Sequence, residues 1–123
     1  MDEKKILVVD DSVVNLKMAG KIIKSRAGWK PVLVPSGHRA LLYLQENRAD
    51  LILLDVMMPD MDGFQFLTAL QSENQLAGIP VVMLTGDDDV EIRERSQLAG
   101  ARDFLHKPFE IQQLLDTIAK YVD

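Results

Sequence analysis

The chain has 123 residues, no cysteine and a net charge of -5, with 47% hydrophobic and 27% charged residues. That length fits one domain, and so much apolar material excludes intrinsic disorder. The acidic balance argues against direct nucleic-acid binding, and the lack of thiols excludes disulfides, thiolate nucleophiles and zinc-thiolate sites.

The opening MDEKKILVVDD leads into an apolar run too short for a signal-peptide core and broken by two aspartates. No stretch approaches the roughly 20 apolar residues of a membrane span, so the cytoplasm is the expected location and no membrane is expected among the partners. Lys5 to Asp10 reads as a buried strand. Ser12 to about Ala27 has the period of a helix, with Val14, Met18, Ile22 and Ile23 on one face, the solvated stripe Lys17, Lys21 and Lys24 on another, and Gly28 as its stop. Lys30 to Val34 is a second strand, after which Ser36 caps a helix running to about Asn47 with Ala40, Leu41 and Leu44 inward. Ala49 to Asp55 is the most hydrophobic strand and therefore central, because a central parallel strand is covered on both faces.

The loop from Met57 to Gly63 carries Pro59 and an Asp62-Gly63 turn signal. A helix from about Phe64 to Asn74 and a strand from Pro80 to Leu84 follow. Asp87 to Asp89 offer N-caps for a helix to about Ala99 whose apolar anchors, Val90, Ile92, Leu98 and Ala99, have poor helical period. Arg102 to His106 is a fifth strand, and Phe109 to Val122 a closing helix with Ile111, Leu114, Leu115 and Ile118 inward. Alternating strands and helices predict a single α/β domain over residues 1–123: a doubly wound parallel sheet with right-handed crossovers and a crevice beyond the strand carboxyl ends.

Four of the apolar runs end in a reactive polar group. Asp10 and Asp11 follow Ile6 to Val9, Asp55 follows Leu51 to Leu54, Thr85 follows Val81 to Leu84, and His106 and Lys107 follow Phe104 and Leu105. Parallel pairing would gather them along one sheet edge. Carboxylates so close raise one another's pKa or demand a cation, and an all-oxygen set suits Mg²⁺. Asp10 and Asp11 have a plainer reading as caps of the first helix. Asp55, held by a rigid strand, can attack phosphorus, with the Thr85 hydroxyl as hydrogen-bond donor and the Lys107 ammonium as a point charge for phosphate. His38 and His106 lack any metal-ligand or catalytic spacing, and the six methionines read as core filling. The P-loop pattern GxxxxGK[ST] is missing, and two aspartates after the first strand would repel a flavin phosphate.

VVDDS at 8–12, LLDVMMPDMDG at 53–63, VVMLTG at 81–86 and GARDFLHKPF at 100–109 together resemble the receiver domain of two-component response regulators. The resemblance implies a CheY-like, flavodoxin-like fold with five parallel strands in the order 2-1-3-4-5 and five flanking helices. It implies that Asp55 accepts a phosphoryl group from a histidine kinase or histidine phosphotransfer protein. By the same resemblance Asp11, Asp55 and the Met57 carbonyl ligate Mg²⁺, and Asp10 acts through a bound water. Thr85 and Lys107 would hold phosphoryl oxygens with backbone N–H groups near Met57 and Gly86, and Lys107-Pro108 would be a cis peptide.

Thr85 and Phe104 would form the switch, relaying phosphorylation to the face made by the fourth helix, fifth strand and fifth helix, where a downstream protein or output domain docks. Phe104 stands where many receivers have Tyr. In that family the positions held here by Met57 and Asp87 influence how easily water attacks the acyl phosphate, so the resemblance implies that they tune its lifetime. Such a domain catalyses its own phosphorylation and dephosphorylation without turning over a diffusing substrate. No output domain is expected within these residues. The competing reading is a receiver-like docking module that is never phosphorylated.

Overall fold

Two hydrophobic cores, one on each face of a parallel sheet, organise the computed structural model, which describes residues 3–86 and 90–123. The strands β1 (Lys4–Val9), β2 (Trp29–Val34), β3 (Leu51–Asp55), β4 (Val81–Thr85) and β5 (Asp103–His106) pair in the order β2-β1-β3-β4-β5. Interleaved with them are α1 (Val13–Lys24), α2 (Gly37–Glu46), α3 (Gly63–Gln71), α4 (Val90–Leu98) and α5 (Ile111–Val122). Every residue of β3 is buried, as a strand covered on both faces requires. Alternation divides its side chains: Leu51 and Leu53 join the core beneath α1 and α5, and Ile52 and Leu54 join the one beneath α2 and α3. Among the described residues, no helix is long and apolar enough to cross a membrane.

Helix faces depart from the sequence expectation in three places. On α1, Val14 and Met18 are exposed, and the inward stripe is Leu16, Ala19, Gly20 and Ile23. Small residues win there because the helix lies close to the sheet: a Cβ on Gly20 would come within 2.9 Å of Leu33 Cδ1. On α5, Ile111 is exposed and Leu114, Ile118 and Val122 carry the packing. On α4, Val90 and Leu98 point outward and only Ser96 is buried. The proposed caps at Asp87 to Asp89 lie outside the described residues.

Helix ends also shift. α1 stops at Lys24, where the Ser25 N–H donates back to the Ile22 and Ile23 carbonyls, and Gly28 makes the turn into β2 at φ 88°. α3 ends at Gln71 rather than Asn74, because Ser72 turns its N–H and hydroxyl onto carbonyls of the last turn. At its start Asp62 and Gln65 form a capping box, so the turn signal at Asp62-Gly63 is in fact a helix start.

Gly63 lets that start sit against the end of β3. Its N–H donates to the Val56 carbonyl at 2.8 Å. A Cβ there would lie 2.7 Å from the Asp55 carbonyl oxygen, 2.9 Å from Met83 Cε and 3.0 Å from Val56 Cα. Backbone cannot yield as a side chain can, so Gly63→Ala is expected to cost about 1–3 kcal/mol in urea melts. Gly78→Ala, where a Cβ meets open space, is the control and should lie within about 1 kcal/mol of wild type.

Candidate functional site

Register brings the polar strand ends together. Val9 pairs with Leu54 and Asp55 with Leu84, so Asp10, one residue past β1, stands beside Asp55, the last residue of β3. Thr85 pairs with His106, and the Lys107 N–H donates to the Thr85 carbonyl at 2.7 Å, which anchors the β5–α5 connection over β4. Asp10, Asp55 and Thr85 are buried, and Asp11 is exposed on the turn into α1.

Lys107 Nζ lies 2.9 Å from Asp10 Oδ2 and 3.3 Å from Asp55 Oδ1. Asp10 Oδ1 accepts the Ser12 N–H at 2.9 Å, and Asp55 Oδ1 accepts the Met57 N–H at 3.3 Å. The hydroxyl of Ser12 caps α1 by accepting the Asn15 N–H, so neither aspartate is needed as the helix cap. Carboxylate oxygens of Asp10, Asp11 and Asp55 lie within 4.8 Å of one another.

Burial and the neighbouring Asp10 charge push the Asp55 carboxyl up from 3.8 to about 7, against the pull of Lys107 and the Met57 N–H. Burial opposes the charged form of Lys107 as well, but the hydrogen bond to Asp10 and the charges of Asp55 and Asp10 outweigh it and raise its pKa. One ammonium therefore serves several acids: among the described residues three carboxyl groups are gathered around a single Lys107. This hard, all-oxygen donor set with surplus negative charge fits a divalent cation such as Mg²⁺.

The other residues singled out from sequence sit around this cluster with varying closeness. Met57 is 71% exposed, so it does not cover the acid by burial, and only its backbone N–H contacts Asp55 in the described hydrogen bonds. Gly86 is exposed, and Asp87 lies outside the described residues. The Lys107-Pro108 peptide is cis. Phe104 is half-buried, paired in register with Met83 and thus on the same sheet face as Thr85. His106 is exposed, and so is His38, whose Nδ1 lies 2.7 Å from Asp60 Oδ2, a hydrogen bond that lowers the Asp60 pKa.

Sequence reasoning missed the close approach of Gly63 to Asp55, for which the Asp-Gly pair was the available signal. It also missed the direct bond from Lys107 to Asp10, which no local pattern encodes because the two residues are 97 positions apart.

Comparison with known proteins agrees with this geometry. Residues 6–119 match the family model of the response regulator receiver domain. The probable transcriptional regulatory protein TcrX of Mycobacterium tuberculosis is 38% identical over 110 residues, covering 89% of this chain and 46% of that protein. The heme response regulator HssR of Staphylococcus haemolyticus is 36% identical over 111 residues, covering 90% of this chain and 48% of its own length. The chain thus spans about half the length of the curated relatives it matches. The chemotaxis protein CheY4 of Vibrio cholerae superposes with a TM-score of 0.91 at 33% identity, covering 98% of this chain and 99% of that one.

The raised Asp55 pKa has a definite sign for stability. Between pH 3.8 and about 7 the unfolded chain loses the Asp55 proton first, so this residue makes stability fall as pH rises through that window. Without divalent cations at pH 8, Asp55→Asn is expected to exceed wild type by on the order of 1–3 kcal/mol in urea denaturation. The difference should vanish near pH 3.8, below which both states hold the proton. Equal stability at pH 8 would show that the carboxylate carries no burial penalty.

Proposed function

This chain belongs to the receiver-domain family of response regulators, the regulated partners of phosphodonors in two-component signalling, and we propose that Asp55 is its phosphoacceptor. The supporting observation is the buried Asp55 carboxylate at the open end of a rigid central strand, flanked by Asp10 and Asp11 and faced by Lys107. One Asp55 oxygen attacks phosphorus of a phosphohistidine on a histidine kinase or histidine phosphotransfer protein. The P–N bond breaks, its electron pair returns to imidazole, and an acyl phosphate remains on Asp55. Later, water attacks the same phosphorus, releasing phosphate and restoring the carboxylate.

Asp10, Asp11, Asp55 and the Met57 carbonyl would hold Mg²⁺, with Asp10 acting mainly through a water. The cation would neutralise charge between the carboxylates and the phosphoryl oxygens. Lys107 can turn from its aspartate partners to a phosphoryl oxygen without leaving the site, since its ammonium already lies 3.3 Å from Asp55. Thr85 supplies a hydroxyl from the neighbouring strand end, and the N–H groups of Met57 and Gly86 complete the cradle. Asp87 and Met57 would tune how readily water reaches the acyl phosphate; with its side chain outward, Met57 would do so at the mouth of the site.

Phosphorylation adds about 1.5–2 negative charges. Drawing Thr85 toward them would let Phe104 move, changing the face formed by α4, β5 and α5, where a downstream protein or output domain would bind. The receiver would occupy residues 1–123 and work in the cytoplasm, with neither nucleic acid nor membrane as its direct partner.

Incubation with Mg²⁺ and acetyl phosphate is expected to add one phosphoryl group in an acid-stable, alkali-labile linkage. Mass spectrometry should locate it on Asp55, and neither Asp55→Asn nor a chelated sample should carry it. Lys107→Ala should slow labelling on the order of 10²-fold, the usual cost of removing one aimed charge stabiliser. Wild-type protein that stays unlabelled would favour the docking module instead.

A further inference from the structure

α4 is attached in an unusual way. Its one buried residue, Ser96, spends its hydroxyl on the Ile92 carbonyl of the same helix at 2.7 Å. Val90 and Leu98 are 67% and 90% exposed, and Ile92 is only partly buried. In place of an apolar stripe, two arginines reach across to aromatic rings on other elements. The Arg95 guanidinium lies 4.0 Å from the ring centre of Phe64 on α3, and that of Arg93 lies 5.1 Å from the ring centre of Phe104 on β5. Both distances fall within the range of cation–π attraction.

The second contact falls on the strand that leads to Lys107. Met83 pairs with Phe104 and Thr85 with His106, so Phe104 and Thr85 share a sheet face one same-face step apart. The ring is half-buried, with the guanidinium over it. Any motion of that ring away from the guanidinium costs the contact, because the attraction falls away beyond about 6 Å.

We propose that Arg93 is a positioning residue for the switch: stacked on Phe104, it ties α4 to β5 in the unphosphorylated arrangement and opposes phosphorylation until released. The role rests on the reading of Asp55 as phosphoacceptor and of Thr85 with Phe104 as its relay. A single contact of this kind biases a two-state equilibrium by a factor of roughly two to five. That factor suits a restraint that phosphorylation must overcome, since a much stronger one would lock the domain.

The test uses the full chain with Mg²⁺ and subsaturating acetyl phosphate. Arg93 is exposed, so its replacement leaves both cores intact. Arg93→Ala is expected to label Asp55 roughly two- to fivefold faster than wild type. Simple loss of a positive charge that attracts the anionic donor would have the opposite sign. Arg93→Lys, which keeps a cation able to sit over the ring, should fall back toward the wild-type rate. In a Phe104→Leu background the acceleration from Arg93→Ala should shrink markedly, because the ring it acts through is gone.

An unchanged or slower rate in Arg93→Ala would overturn the inference, as would an acceleration that persists undiminished without the Phe104 ring. Either result leaves Asp55 labelled and the phosphoacceptor reading intact. An unlabelled wild type would instead remove that reading and the Arg93 role with it. Fluorine NMR of 4-fluorophenylalanine at position 104 follows the contact itself in unphosphorylated protein. Its resonance should shift in Arg93→Ala, and a static resonance would count against the proposal.

Discussion

Two carboxylates, Asp10 and Asp55, lie buried at the ends of adjacent parallel strands, and the ammonium of Lys107 faces both of them. Burying like charges together is unfavourable, and the Asp55 pKa near 7 expresses how far one ammonium falls short of offsetting it. Much of the local architecture answers that imbalance: the Ser12 N–H turns toward Asp10, the Met57 N–H toward Asp55, and the Lys107 backbone is pinned to the Thr85 carbonyl. A site with surplus negative charge is poised to take up a divalent cation. It then has the means to approach a phosphoryl group that bare carboxylates would repel.

Rigidity is distributed unevenly around that centre. β3 is buried along its whole length, and Gly63 allows the first turn of α3 to press against its end, so the proposed acceptor cannot drift. On the other side of β4, α4 has one buried residue and leans on exposed guanidiniums. A change of charge at the strand ends can therefore leave the acceptor in place while shifting a helix that buries little of itself. The same sheet serves as a fixed base for chemistry and as the support of a movable surface.

Different physical signals made different parts legible. The strands were readable because continuous Val, Ile and Leu runs of about five residues are what a doubly covered parallel strand demands. The cap at Ser36 followed from local side-chain to backbone geometry, whereas on α1 Ser12 takes the capping place that Asp10 or Asp11 could have filled. Helix faces were less legible. On α1 the larger Val14 and Met18 drew attention from Ala19 and Gly20, although close helix–sheet contact selects small side chains. Ile111 was misread for a related reason: apolar character marks a residue that can be buried, whereas the helix start decides which way it faces.

Written into the chain before it folds are the alternation of strands and helices, the central place of the 51–55 run, and the set of polar groups available at the strand ends. These depend on periodicity and on which residue follows each apolar run, both local properties. Assembly of the fold was needed to bring Lys107 against Asp10 as well as Asp55, to leave Gly63 no room for a side chain, and to set Arg93 and Arg95 of α4 over Phe104 and Phe64. Those contacts cross from one element to another, and they arise from strand register and helix orientation, which exist only once the sheet has assembled.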